Sequence, residues 1–134
     1  MAKVIDVFSA AMSFMDELSQ SGQAQTADTK EYEYRTPAIL NMLVAEHNML
    51  MSIEDWTQVV AQQDEVPVSQ NYAIGVLPYG LAANLLVDEN ASAASFFQQR
   101  YEEMRDRYMR SNAADVSSID NIYAGIEYGE FARW

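Results

Sequence analysis

Between Tyr72 and Val87 the chain carries apolar side chains at nearly every position, with Pro78 near the middle and Gly75 and Gly80 on either side of it. A helix that is greasy all round has no wet face, so it belongs at the centre of a bundle with other helices around it. The stretch falls short of the ~20 residues that a membrane span needs. Pro78 has no N–H and its ring crowds the preceding turn, which predicts a kink, or two helices meeting near Leu77. The flanking glycines mark the bend or allow close helix contact.

A length of 134 residues suits one domain, able to bury a little under ~70% of its unfolded surface without staples. With 49% hydrophobic residues the bulk of it is not intrinsically disordered. There are no cysteines, which excludes a disulfide framework, thiolate metal sites and cysteine catalysis while leaving the compartment open. Twenty acidic residues against eight basic ones give a net charge of −12, the wrong sign for a general binder of phosphate backbones. No membrane span and no signal-peptide layout at the amino end are expected.

Around the central segment the periodicity predicts further helices. Val4, Val7, Phe8, Ala11, Met12, Met15 and Leu18 recur at three- and four-residue steps, giving a first amphipathic helix that ends at Ser21-Gly22. Residues 20–31 read as a polar loop, and Tyr32-Glu33-Tyr34 alternates like a short extended piece. Thr36 followed by Pro37 reads as a cap and first helical residue, opening a second helix to about Leu50, with a limit near Trp56. Its inward residues are expected to be Ile39, Leu40, Leu43, His47, Leu50 and Met51. Asp64-Glu65-Val66-Pro67 breaks the chain, and Ser69 or Asn71 can begin the next helix. Ser92 is the expected cap of a last long helix with Phe97, Tyr101, Met104 and Tyr108 in one stripe, and Glu103–Arg107 and Asp106–Arg110 as ion pairs on its wet face. The expectation is an all-α fold: a small bundle of about four helices over residues 1–111, with residues 112–134 as an extended aromatic C-terminal arm used in assembly.

Catalytic signatures are missing. His47 is the only histidine and has no carboxylate three or four residues away, so it reads as structural and no metal site is expected. Adjacent acids such as Asp16-Glu17, Asp64-Glu65, Asp88-Glu89 and Glu102-Glu103 diverge by ~100° on a helix and do not converge on one substrate. Phosphate-cradling loops, dinucleotide fingerprints and nucleophile elbows are not found, so neither a cofactor nor a catalytic residue is expected. Arg100, Arg105, Arg107 and Arg110 cluster with Tyr101 and Tyr108, but interleaved Glu102, Glu103 and Asp106 read as intrahelical partners. A local basic ridge facing DNA inside an assembly stays open beside that.

The carboxyl end is the oddest feature. Tyr123, Tyr128, Phe131, Arg133 and Trp134 place aromatic and arginine side chains, the usual interface anchors, where chains ordinarily fray. Either this segment folds back and seals its own bundle, or it inserts into a neighbouring subunit.

Four phrases carry a resemblance. They are DTKEYEYRTPAILN from Asp28, LPYGLAANLLVDE from Leu77, ASFFQQRYEEM from Ala94 and IYAGIEYGEFARW from Ile122. In this order the chain, from about residue 28 onward, resembles the helical head–tail connector (adaptor) proteins of tailed phages and Gram-positive prophages. The resemblance implies a structural virion protein made in the bacterial cytoplasm and placed at the capsid vertex. There it would form a ring with copies of itself, of about twelve subunits in that family, beneath the portal protein. It would extend the channel through which DNA passes unread and hold the next stopper or tail protein. Residues 112–134 would then be the arm that reaches the portal, with the Tyr32, Tyr34 and Arg35 region sharing the subunit interface. An acid-lined lumen would repel phosphates and let the genome slide. Two other readings fit the same sequence: a small acidic helical regulatory binding protein, and a neighbouring stopper or tail-completion protein.

Overall fold

A computed structural model of the chain describes residues 1–15, 25 and 27–120, excepting the side chains of residues 27 and 113–120. Among the described residues every regular element is helical, as the periodicity requires: α1 (Val4–Phe14), a 3-10 turn (Ala27–Thr29), α2 (Lys30–Leu50), α3 (Gln70–Gly75), α4 (Leu77–Leu86) and α5 (Ala91–Asp120). The chain divides into two compact units, Met1–Met104 and Arg105–Trp134. The first holds the core.

α1 buries Val4, Val7, Phe8, Ala11 and Met12, the stripe read from the sequence, against α4, α2 and α3. Its first N–H groups, which have no partner inside a helix, are met by the chain between α2 and α3. Val4 N donates to the Asp64 carbonyl at 3.0 Å and Ile5 N to the Gln62 carbonyl at 2.9 Å. A single antiparallel bridge joins Lys3 to Glu65, and Val66 N donates to the Ala2 carbonyl at 2.8 Å. Asn41, on α2, fixes the same connection: its amide nitrogen donates to the Val59 carbonyl and its amide oxygen accepts from Val59 N, both at 2.9 Å. Asp64 Oδ2 accepts from Val60 N and Ala61 N, which holds its carboxyl below the usual carboxylate range.

α2 starts seven residues earlier than the Thr36-Pro37 cap predicts, so Lys30–Thr36 is helical and Tyr32-Glu33-Tyr34 is not extended. Thr36 is buried inside the helix, and its hydroxyl donates to the Tyr32 carbonyl at 2.7 Å. Pro37 cannot serve the Glu33 carbonyl one turn back; the Gln62 side-chain amide donates there instead, at 3.4 Å. That long-range contact is why a helix can run through a residue that locally signals a start. The helix ends at Leu50, which is 51% exposed and not inward as expected. Ser52 N donates to Met49 O and Ile53 N to Asn48 O, the two bonds of a Schellman turn, with Ser52 at φ 59°.

The central segment is two helices, as Pro78 predicts. Ser69 caps α3 by accepting from Tyr72 N at 3.2 Å. α3 ends at Gly75, Val76 bends the chain, and α4 begins with Pro78 in its first turn, where a missing N–H costs nothing. Leu77, Leu81, Ala82 and Leu85 are fully buried. Counting α3 and α4 as one bent helix gives the expected four. Gly80 is the point of closest approach: a Cβ there would lie 2.9 Å from the Tyr101 ring and 3.0 Å from Leu43.

α5 is capped by Asn90, whose Oδ1 accepts from Ala93 N at 3.1 Å, and not by Ser92. An Asx residue one position before the helix supplies the acceptor that Ser92, already inside it, does not. Tyr101 is buried and Phe97 and Met104 are partly so. The ion pairs differ from the expected i,i+4 set: Glu103 takes Arg100 at 2.9 Å, and Asp106 takes Arg105 at 3.3 Å.

Candidate functional site

Glu46, His47, Tyr72 and Tyr101 gather where α2, α3 and α5 meet. Tyr101 donates its hydroxyl to the Glu46 carboxylate, and burial, Glu46 and neighbouring Tyr72 together push its phenol far above the ordinary range. It stays a protonated donor. His47 is buried, its ring 4.3 Å from that of Tyr72, with Nδ1 donating to Asn48 Oδ1 at 2.7 Å. Desolvation lowers its pKa against the raising effect of Asn48, so the neutral ring is favoured. These contacts tie α2 to α3 and α5, with His47, Tyr72 and Tyr101 buried and Glu46 partly exposed. His47 faces inward from α2, as the periodicity predicts. Among the described residues no three His, Asp or Glu side chains form a group that could hold a metal ion.

The surface carries more. Phe14, at the end of α1, stacks on Tyr79 of α4 with ring centroids 4.6 Å apart, and lies 6.2 Å from Phe97 of α5. Phe96 meets Phe97 edge-on at 5.5 Å and is itself 58% exposed. Arg100 lies over the Tyr79 ring, 5.4 Å from its centroid, while bound to Glu103. Four aromatic rings and an arginine, drawn from three helices, thus share one partly open patch. Rings and guanidinium groups are the side chains that most often dominate binding energy at interfaces, and the Arg100 cation is already held over its ring.

This patch was not legible as a site. Its one sequence signal is the doublet Phe96-Phe97, because adjacent helical positions point ~100° apart and both cannot be buried by one neighbour.

Of the residues proposed as interface anchors, Tyr32 is buried and donates its hydroxyl to Glu89 at 2.6 Å. Arg35 donates to the Asn84 carbonyl at 3.3 Å. Tyr34 is 76% exposed. The structure does not bring Tyr34 to the aromatic patch on α1, α4 and α5. Tyr123, Tyr128, Phe131, Arg133 and Trp134 lie outside the described residues, as do Leu18 and Ser21-Gly22. Arg100 and Arg105 of the basic cluster are each engaged by an acid, as the intrahelical reading expects. A shallow groove of about 450 Å³ runs between α4 and α5, floored by Ala83, Val87 and Ala94 and rimmed by Gln98 and Glu102. No helix among the described residues is long and apolar enough to cross a membrane.

Comparison of the chain with protein-family models, curated proteins and solved structures finds no match.

Proposed function

We propose that this protein acts by assembly, without catalytic turnover, as a head–tail connector of a tailed phage or prophage. It forms a ring beneath the portal protein at the capsid vertex, carries the DNA channel onward and seats the next stopper or tail protein. The observation that supports this reading most is the aromatic–arginine patch of Phe14, Tyr79, Phe96, Phe97 and Arg100, which has the composition of an interface. A net charge of −12 repeated around a ring also suits a lumen that must not hold DNA phosphates. The sequence resemblance described above supplies the particular assembly, and assigns residues 112–134 as the arm that reaches the portal.

Electron microscopy of the full chain mixed with its candidate portal tests the proposal. A ring seated on the portal is expected, lost in a Phe14→Ser/Phe96→Ser variant that keeps its helical circular dichroism. A chain that never joins the portal or the capsid vertex overturns it. The acidic regulatory reading, favoured by the charge alone, predicts instead a small complex with a basic partner protein and no ring at any concentration.

A further inference from the structure

The chain has eight methionines and no cysteine, so thioethers are its only sulfur. The fold sorts them sharply. Met12 is fully buried in the core, at 0% exposure, whereas Met42 and Met49 of α2 are 59% and 72% exposed. Met1 is 71% exposed. Met15, Met51, Met104 and Met109 lie between these extremes, and the Met104 sulfur accepts from Arg100 Nη2 at 3.9 Å.

Met42 and Met49 are seven residues apart, two turns of helix with only ~20° of rotation between them. Ala45 lies between, exposed and too short to shield either sulfur. α2 packs through other residues: Leu40, Leu43, Val44 and His47 are the buried ones along this stretch. The two sulfurs therefore stand in water while the helix that carries them is held by its opposite side.

Hydrogen peroxide oxidises a thioether by two electrons. The sulfur lone pair attacks one peroxide oxygen, and an S–O bond forms as the O–O bond breaks. The hydroxide that leaves takes the proton from the transferred oxygen and becomes water, so the thioether is oxidised to sulfoxide as the peroxide is reduced. At Met42 and Met49 the new polar oxygen is solvated, and no core contact is lost. At Met12 it would be an acceptor in a space closed to water, which the core cannot satisfy. Peroxide reaches that sulfur only when the structure opens.

We propose that Met42 and Met49 are modification sites, converted to sulfoxides by hydroperoxides while the fold stays intact. Their oxidation turns the exposed side of α2 from apolar to polar without moving the core. It is also reversible, because both sulfoxides stay accessible to methionine sulfoxide reductases, one enzyme for each epimer. Met1 is oxidised alongside them by exposure alone, and Met12 follows only on unfolding. This inference does not depend on the connector reading.

The full chain treated with hydrogen peroxide at neutral pH, quenched at intervals and digested, gives the order of oxidation by tandem mass spectrometry. Trypsin is a poor choice, since no lysine or arginine lies between Arg35 and Arg100. Cleavage after glutamate leaves Met42 in residues 34–46 and Met49 in residues 47–54. Met42 and Met49 should be converted at least about tenfold faster than Met12, and the difference should vanish in denaturing urea. The thermal midpoint should be unchanged once both are sulfoxides, and the two reductases with a thiol reductant should return them to thioethers. A Met42→Leu/Met49→Leu variant should keep the fold and lose these two fast conversions. Native Met42 and Met49 that resist peroxide, a Met12 that reacts in step with them, or a midpoint that falls as they are oxidised overturns the proposal.

Discussion

Gln62 hands its side-chain amide to the carbonyl of Glu33, the acceptor that Pro37 leaves without an N–H. The two residues are twenty-nine positions apart, and the contact lets α2 extend a full turn and more ahead of the proline.

Removing that amide, in Gln62→Ala, is expected to cost about 0.5–1 kcal/mol, the usual net worth of one hydrogen bond. In a Pro37→Ala background, where the helix supplies its own donor to Glu33, the same change should cost measurably less. Urea unfolding of the two single variants and the double variant gives the coupling directly.

The limits of the sequence become visible at this contact. The stripe of α1, the break at Pro78 and the burial of the 72–87 segment are consequences of local periodicity and backbone chemistry, and they are legible in the residues alone. The start of α2 is not, because Thr36-Pro37 carries a valid local signal that a distant side chain overrides. The cap of α5 went to Asn90 and not Ser92 for a smaller reason: two residues of similar capping strength lie close together, and only the geometry decides. The surface patch was hidden because Phe14, Tyr79 and Phe96 come from three helices whose mutual placement no single-helix pattern contains.

Gly80→Ala should destabilise the fold. The new methyl would sit 2.9–3.0 Å from the buried Tyr101 ring and Leu43, neither free to retreat. Overpacking of about 1–3 kcal/mol outweighs the ~1 kcal/mol that alanine gains in helix propensity. Gly75→Ala meets nothing within 4 Å and should be neutral or slightly stabilising. Parallel thermal melts of the two variants make the comparison.

Ser52→Gly is expected to stabilise. Ser52 holds φ 59° in the turn that ends α2, a region that costs a residue with a Cβ about 1 kcal/mol and glycine little. The midpoint of urea unfolding should rise with its slope unchanged.

Acid should weaken the fold in two stages. His47 has its pKa below the ordinary 6.5 because burial disfavours the cation. The unfolded chain therefore binds the proton first, and stability conferred by the neutral ring is present above that value and lost as pH falls through the folded pKa. Asp64, held below its ordinary 3.8 by two backbone N–H groups, gives a second loss under that value. Unfolding midpoints measured from about pH 7 to pH 5 should decline in the native chain, and His47→Gln should flatten the decline without touching the second stage.

The attachment of Val4 and Ile5 to carbonyls of Asp64 and Gln62 bears on how the chain comes into being on the ribosome. Of the described helices α1 is synthesised before the others, yet its opening turn lacks acceptors until the Gln62–Val66 segment has emerged from the exit tunnel. It must therefore wait until all of α2 has been translated, and a nascent chain stalled before Gln62 would expose to chaperones the same side chains, Val4, Val7 and Phe8, that the folded protein encloses.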